Sequence, residues 1–143
     1  MNARQDSVIL HASCVAVKTK ALLIIGPSGS GKSALALDLI ALGAVLVADD
    51  RTEVTAENGA AIASCPTALV GLIEARGVGI LVTEGIPSAK IALVVDLGHR
   101  ETERLPPRRH VSIAGVQIDL VLGPRSGHLC AAVLCYLKGR RHE

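Results

Sequence analysis

The segment from Gly26 to Ser33 constrains the fold of this chain more than any other. It reads Gly-Pro-Ser-Gly-Ser-Gly-Lys-Ser, which satisfies the pattern GxxxxGK[ST] of a phosphate-binding P-loop. The apolar run Ala21–Ile25 precedes it and the amphipathic segment Ser33–Leu42 follows it, which predicts a strand, a loop and a helix in the order that the motif requires. Glycines let backbone N–H groups turn towards phosphate oxygens, and a helix N-terminus adds positive partial charge. We therefore predict that this segment, called the glycine loop below, binds a nucleoside triphosphate.

The residue types of the glycine loop predict how each position contacts the nucleotide. Lys32 is placed to reach the β- and γ-phosphates, and the Ser33 hydroxyl is placed to hold Mg²⁺. The predicted nucleotide-binding residues are Gly26, Pro27, Ser28, Gly29, Ser30, Gly31, Lys32 and Ser33.

The composition favours an α/β domain. Half of the 143 residues are apolar but Tyr136 is the one aromatic residue, so the core is built from Val, Ile, Leu and Ala. Such runs suit a sheet covered by helices. After the loop and helix, Ala44–Ala48 reads as a further strand, Asn58-Gly59 marks a hairpin turn, and the second half is richer in strands. The length fits one domain, and the order of elements predicts a mixed sheet with flanking helices.

Charge and cysteine content argue against several classes of protein. The net charge is +2, too small to indicate nucleic-acid binding, although basic residues concentrate at 100–109 and 138–141. The four cysteines form no CxxC pair, so a zinc site or disulfide framework is not expected. No apolar run reaches about 18 residues, the length of a membrane span. We expect a cytoplasmic protein that does not act at a membrane.

An acidic pair, Asp49-Asp50, ends the strand after the predicted helix, 17 and 18 residues past Lys32. We expect this strand to run directly beside Ala21–Ile25, because consecutive parallel strands tend to be neighbours, and so to bring the pair to the phosphates. One carboxylate would orient Mg²⁺ or its water, and the other would accept a proton from an attacking hydroxyl. The sequence does not say which does which.

Several spaced motifs together resemble the catalytic domain of HPr kinase/phosphorylase, from His11 to about Leu137. The resemblance is carried by the glycine loop and by four further segments. These are His11 ahead of the loop, Val47-Ala48-Asp49-Asp50-Arg51 after the helix, Ile73-Glu74-Ala75-Arg76-Gly77-Val78-Gly79-Ile80, and Glu103-Arg104-Leu105. The family's fold is P-loop-containing and PEP-carboxykinase-like.

The resemblance assigns roles to individual residues. Asp50 is the expected proton acceptor, with Asp49 leaning towards the metal. Glu74 is expected to complete the Mg²⁺ shell with Ser33 and Asp49, because hard cations prefer oxygen ligands. Arg76 would stabilise charge on the transferred phosphoryl group.

Two further residues are expected in the catalytic set. His11 would hydrogen-bond a phosphate or orient Asp50. Arg104 occupies the position of a catalytic arginine, although the register of this arginine-rich loop also allows Arg100 or Arg108.

The resemblance implies ATP and Mg²⁺ as cofactors, an HPr-like phosphocarrier protein as partner, and a homo-oligomer, a hexamer in the family. Full-length members carry an N-terminal domain, so the chain looks like a short form restricted to the catalytic domain. Gly123-Pro124-Arg125-Ser126-Gly127-His128 resembles the family's dephosphorylation loop, with Ser126 and His128 where the family has Pro and Arg. The kinase direction is therefore predicted more strongly than the reverse.

Two other functions fit the glycine loop. A small-molecule P-loop kinase would need an arginine-bearing lid, for which 100–109 is the candidate segment. A regulatory nucleotide-binding module would bind ATP without transferring phosphate, and it would have no need of the second carboxylate at 49–50.

Overall fold

The computed structural model describes residues 6–123 and 127–142 of the chain. In these ranges two α-helices and eleven strands follow one another, together with a 3₁₀ turn at Thr67–Leu69. The elements are β1 (Ser7–Leu10), β2 (Ser13–Val17), β3 (Lys20–Ile25), α1 (Lys32–Ala41), β4 (Val45–Ala48), β5 (Thr52–Glu57), β6 (Ala60–Ser64), β7 (Leu72–Ala75), β8 (Gly79–Val82), β9 (Ser88–Arg100), β10 (Arg109–Ile113), β11 (Val116–Gly123) and α2 (Leu129–Lys138).

Nine of these strands form one mixed sheet, organised around the long strand β9. Along the sheet the order is β1-β5-β6-β9-β3-β2-β4, and β11 also pairs with β9 and carries β10 at its other side. Strand β9 is parallel to β3 and to β11, whereas the remaining pairings in this sheet are antiparallel. Strands β7 and β8 form a separate antiparallel hairpin. The predicted mixed α/β character is confirmed.

The expectation that β4 runs directly beside β3 is wrong. Strand β2 lies between them and is antiparallel to both. Strand β2 takes the place beside β3 because the two strands form a tight hairpin around Lys18, which has a positive φ of 56°. Two successive antiparallel pairings still make β3 and β4 run in the same direction, so both strands end at the same edge of the sheet.

Both helices pack on one face of the sheet. Side chains alternate across a strand, so Leu22 and Ile24 of β3 face the helices and pack with Leu39 of α1 and Leu137 of α2. Leu23 faces the opposite side, where it packs with residues of β5, β6 and β10. The described helices therefore flank one face only, and the sheet curls so that its own strands cover the other.

Candidate functional site

An open cleft of about 900 Å³ lies at the edge where β3 and β4 end. Its walls come from the glycine loop, the start of α1, the two residues after β4, the β7–β8 hairpin, and the turn between β1 and β2. Every predicted site residue except Ser30 and Arg104 lines this cleft. The lining residues are His11, Gly26, Pro27, Ser28, Gly29, Gly31, Lys32, Ser33, Ala34, Leu37, Asp49, Asp50, Glu74, Ala75, Arg76 and Val78.

The glycine loop has a shape that other residues cannot adopt easily. Gly26 has a φ of 150°, and a β-carbon there would lie 2.6 Å from Ser30 Oγ, closer than real contacts allow. Ser30 Oγ is also the one buried side-chain polar atom without a hydrogen-bond partner among the residues that the structure describes. A buried hydroxyl without a partner is uncommon in folded proteins, and this one lies within the loop that the sequence predicts to bind phosphates.

Helix α1 presents an uncapped N-terminus to the cleft. Its N-cap is Gly31, in a left-handed conformation with φ of 99°, and no side chain caps the first turn. No acidic residue occurs in that turn, and Lys32, Ser33 and Ala34 line the cleft. The first N–H groups of a helix lack intrahelical partners and carry positive partial charge. This end of α1 is therefore suited to bind an anion.

Lys32 is folded back onto the glycine loop. Its side chain is nearly buried, and Nζ donates to the carbonyl oxygens of Gly26 at 2.8 Å and of Pro27 at 3.0 Å. An ammonium group has three N–H donors, so one is left for a further acceptor. The two carbonyls thus hold the positive charge at the loop while keeping a donor available to a phosphate oxygen.

Asp49 is held in place by three hydrogen bonds. Its Oδ1 accepts from Ser33 Oγ at 2.7 Å and from Ser13 Oγ at 3.0 Å, and its Oδ2 accepts from the backbone N–H of Glu74 at 3.1 Å. The donors come from α1, β2 and β7. The carboxylate therefore ties the start of the P-loop helix to two other elements.

Asp50 has the opposite environment. Its backbone is left-handed, with φ of 63°, a conformation that Asp tolerates better than most residues and that is enriched at functional sites. Its side chain is 76% exposed in the cleft, and within the described ranges its ion-pair partner is the imidazole of His11, whose Nδ1 lies 3.8 Å from Asp50 Oδ1. The neighbouring carboxylates therefore differ: Asp49 is bonded on both oxygens, and Asp50 is open to a ligand.

The β7–β8 hairpin brings Glu74 and Arg76 to the cleft. Ile73 and Ala75 of β7 are buried, so alternation along the strand turns Glu74 outwards. Arg76 follows at the turn, which the N–H of Val78 closes by donating to the Ala75 carbonyl at 2.9 Å. Both charged side chains are exposed and border the same opening as Asp50.

Arg104 is not brought to the cleft in this single chain. It lies exposed in the loop between β9 and β10. That loop is anchored by Glu101, whose two oxygens accept from Arg109 Nε at 3.0 Å and Nη2 at 3.1 Å. The hydrogen bond from Arg109 is the main reason why the pKa of Glu101 lies below its usual range. The catalytic role of Arg104 stays a prediction.

Sequence reasoning missed two residues near the site. Ser13 is fully buried, and besides its bond to Asp49 its Oγ accepts from the backbone N–H of Asp50 at 3.4 Å. Asp96 pairs in register with Ile25, the residue before the glycine loop, and its carboxylate contacts the Gly98 N–H and His99 Nδ1, each at 2.8 Å. The available signal for Asp96 was a charged residue inside β9 directly after an apolar run, whereas Ser13, the first residue of β2, has no comparable local signal.

Three residues of the predicted dephosphorylation loop, Pro124, Arg125 and Ser126, lie outside the residues that the structure describes.

In the described part of the chain, no helix is both long and apolar enough to cross a membrane.

Known proteins resemble this chain in sequence and in fold. The family model of the HPr Serine kinase C-terminal domain matches residues 3–124. The chain is 33% identical over 138 residues to the HPr kinase/phosphorylase of Clostridium botulinum (strain Eklund 17B / Type B), covering 87% of this chain and 45% of that protein. It is 36% identical over 126 residues to the one of Cupriavidus necator, covering 80% and 39%. The chain thus spans about half the length of these curated relatives or less.

A solved structure of similar fold is the Hpr(Ser) kinase/phosphatase from Coxiella burnetii. The TM-score is 0.71 at 26% identity, and the match covers 92% of this chain and 93% of the other. The likeness therefore extends over nearly the whole chain in both proteins.

Proposed function

The chain belongs to the HPr serine kinase C-terminal domain family, and on that premise we propose that it transfers the γ-phosphoryl group of ATP to a serine of an HPr-like phosphocarrier protein. The observation that carries the proposal is the difference between Asp49 and Asp50. A carboxylate bonded on both oxygens is suited to a fixed position beside Ser33, whereas an exposed carboxylate in the same cleft as the glycine loop is suited to accept a proton.

The proposed step is an in-line displacement at the γ-phosphorus. The serine oxygen forms a bond to phosphorus, the bond from phosphorus to the bridging oxygen of ADP breaks, and the serine proton passes to Asp50. Lys32, the N-terminus of α1 and Arg76 stabilise charge on the transferred group. His11, 3.8 Å from Asp50, orients that carboxylate or contacts a phosphate.

The residues present suit Mg²⁺. Ser33, Asp49 and Glu74 offer oxygen donors from three elements at one opening. No group of three or more His, Cys, Asp and Glu in the described ranges forms a metal site by itself. Mg²⁺ is bound through one or two carboxylates together with substrate phosphates, so such a donor set suits it. When bound, the cation would neutralise charge on the phosphates.

A protein substrate fits this cleft better than a small metabolite. Small-molecule kinases close a lid over the nucleotide. The segment that the sequence offered as a lid, residues 100–109, does not line the cleft, and an ion pair between Glu101 and Arg109 joins its two ends. An opening of this kind leaves room for a serine carried on another protein.

Further parts of the proposal come from the family. They are a PEP-carboxykinase-like fold of the catalytic domain, a cytoplasmic location and a homo-hexameric assembly, which light scattering would measure. Dephosphorylation is also included: an oxygen of inorganic phosphate bonds to the phosphorus of phosphoserine, the bond from phosphorus to the serine oxygen breaks so that pyrophosphate forms, and Asp50 gives its proton to the serine oxygen.

The test is phosphate transfer from γ-labelled ATP to a purified HPr-like protein. We expect acid-stable label on a serine, and a loss of about 10²- to 10⁴-fold in rate for Asp50→Asn, the usual contribution of a general base. Asp49→Asn should instead raise the Mg²⁺ concentration needed for half-maximal rate. Asp38→Asn, an exposed position on α1, is the matched control and should behave as wild type.

Two results would count against the proposal. Transfer that persists in Asp50→Asn would assign the base to another group, with Asp49 and His11 the next to test. ATP binding without any labelled protein would favour the small-molecule kinase or the regulatory module.

A further inference from the structure

A second, smaller cavity lies at the end of β3 that is distant from the glycine loop. Its volume is about 210 Å³. The polar residues that line it are Lys20, Arg108, Asp119, Tyr136, Arg140 and Arg141. We call it the basic cavity. Lys20 begins β3 and Gly26 follows its end, so at about 3.3 Å per residue the two sites are about 20 Å apart.

The lining of the basic cavity concentrates positive charge. Four cationic side chains and one carboxylate give it a formal charge of +3, against +2 for the entire chain. The carboxylate of Asp119 is engaged on both oxygens, because Tyr136 Oη donates to Oδ2 at 2.9 Å and His110 Nε2 lies 3.2 Å from Oδ1. The C-terminus of α2 adds about half a negative charge, which is less than the charge of one cation, so the cavity stays strongly positive.

Three of the four cations are positioned by backbone carbonyls but are not used up by them. Lys20 Nζ donates to the Gly139 carbonyl at 3.2 Å, Arg108 Nη2 donates to the Arg141 carbonyl at 3.4 Å, and Arg141 Nη2 donates to the Pro106 carbonyl. A guanidinium has five N–H donors and an ammonium has three, so each keeps donors for a ligand.

Of the other two polar groups of the lining, Arg140 is available to a ligand, whereas the Tyr136 hydroxyl already donates to Asp119. Arg140 has no hydrogen bond or ion pair with any other residue of the described ranges. Burial, with the hydrogen bond to Asp119, raises the pKa of the Tyr136 hydroxyl, against the opposing charges of Arg108 and Arg141.

We propose that the basic cavity binds a small phosphate-bearing anion, independently of the nucleotide. Guanidinium groups match the oxygens of a phosphate with paired, charge-assisted hydrogen bonds. The volume lies below the roughly 300 Å³ at which pockets for larger ligands begin. It therefore suits inorganic phosphate or the phosphate group of a small metabolite, and it is too small for a nucleotide.

The test is an NMR titration of the full chain with inorganic phosphate, followed through backbone amide shifts. The amides of Tyr136, Gly139 and Arg140 report on the basic cavity, and those of Gly29 and Gly31 report on the glycine loop. We expect the first set to saturate in wild type and equally in Lys32→Ala, which weakens only the other site. Arg140→Gln should weaken binding about tenfold, and the exposed Arg100→Gln should leave it unchanged.

Two further ligands identify the source of the phosphate. Glycerol 3-phosphate binding as well as inorganic phosphate would support a site for the phosphate group of a metabolite, and binding of inorganic phosphate alone would support free phosphate. The proposal would be overturned by shifts confined to the glycine loop. Equal affinities in Arg140→Gln and Arg100→Gln, or succinate binding as tightly as phosphate, would also overturn it.

Discussion

At the scale of single residues, the cleft depends on a serine that takes no part in the proposed chemistry. Ser13 bridges the two aspartates: its hydroxyl donates to the Asp49 carboxylate and accepts from the Asp50 backbone. It therefore links the position of one carboxylate to the strained backbone that presents the other. Ser13 acts as a positioning residue for both.

Replacing Ser13 tests this link. Ser13→Ala should reduce stability by about 1–3 kcal/mol, because it leaves buried polar groups without a partner. It should also reduce phosphate transfer about 10- to 100-fold, the usual effect of losing a residue that orients a ligand group, and raise the Mg²⁺ requirement. Chemical denaturation and transfer kinetics measure the two effects.

The control for Ser13 is Ser112→Ala, at an exposed position on β10. It should leave both the free energy of unfolding and the transfer rate unchanged. A Ser13 variant that loses stability but keeps the wild-type Mg²⁺ dependence would show that the serine is structural only.

At the scale of elements, local patterns predicted local structure well. The strand before the glycine loop, the helix after it and the Asn58-Gly59 hairpin all occur, because each is encoded by neighbouring residues. The predicted position of β4 beside β3 was wrong, because the neighbour of a strand in a sheet depends on contacts between residues distant in sequence. The lining of one cleft by His11, Asp50 and Glu74 agrees with their joint assignment by family resemblance, whereas no local pattern indicated Ser13.

The loop between β9 and β10 offers a prediction about pH. Arg109 lowers the pKa of Glu101 in the folded chain, so this pair stabilises the fold above the unfolded-state pKa of Glu, about 4.3. The contribution is lost as pH falls through the folded-state value. Glu101→Gln should therefore be less stable than wild type at neutral pH, and the difference should shrink in acid.

Denaturation at several pH values between neutral and strongly acidic would measure this effect. Glu103→Gln is the matched control, since Glu103 is more exposed and lies 3.6 Å from Arg109. Its effect should be smaller at every pH. A difference between Glu101→Gln and wild type that is constant with pH would contradict the role given to the ion pair.

At the scale of the whole molecule, the sheet separates two apolar clusters. One lies beneath α1 and α2 and the other is enclosed by the curled strands. Strand β3 contributes to both through alternate residues and leads directly into the glycine loop. Packing on either face of β3 therefore bears on the position of the loop, which connects the stability of the core to nucleotide binding.

Leu22 is the residue of choice to test this connection, because it is fully buried under the helices at the middle of β3. Leu22→Ala should cost about 2–5 kcal/mol, the combined loss of apolar burial and creation of a cavity. The chain has no Trp, so circular dichroism is the suitable probe of unfolding. Leu42→Ala, at a position 56% exposed just past α1, should change stability by less than about 0.5 kcal/mol.

ATP affinity tests whether packing under β3 affects the glycine loop. If Leu22→Ala also weakens ATP binding at temperatures where it is fully folded, the packing of β3 affects the position of the loop. Unchanged ATP affinity in the folded variant would restrict the role of Leu22 to stability.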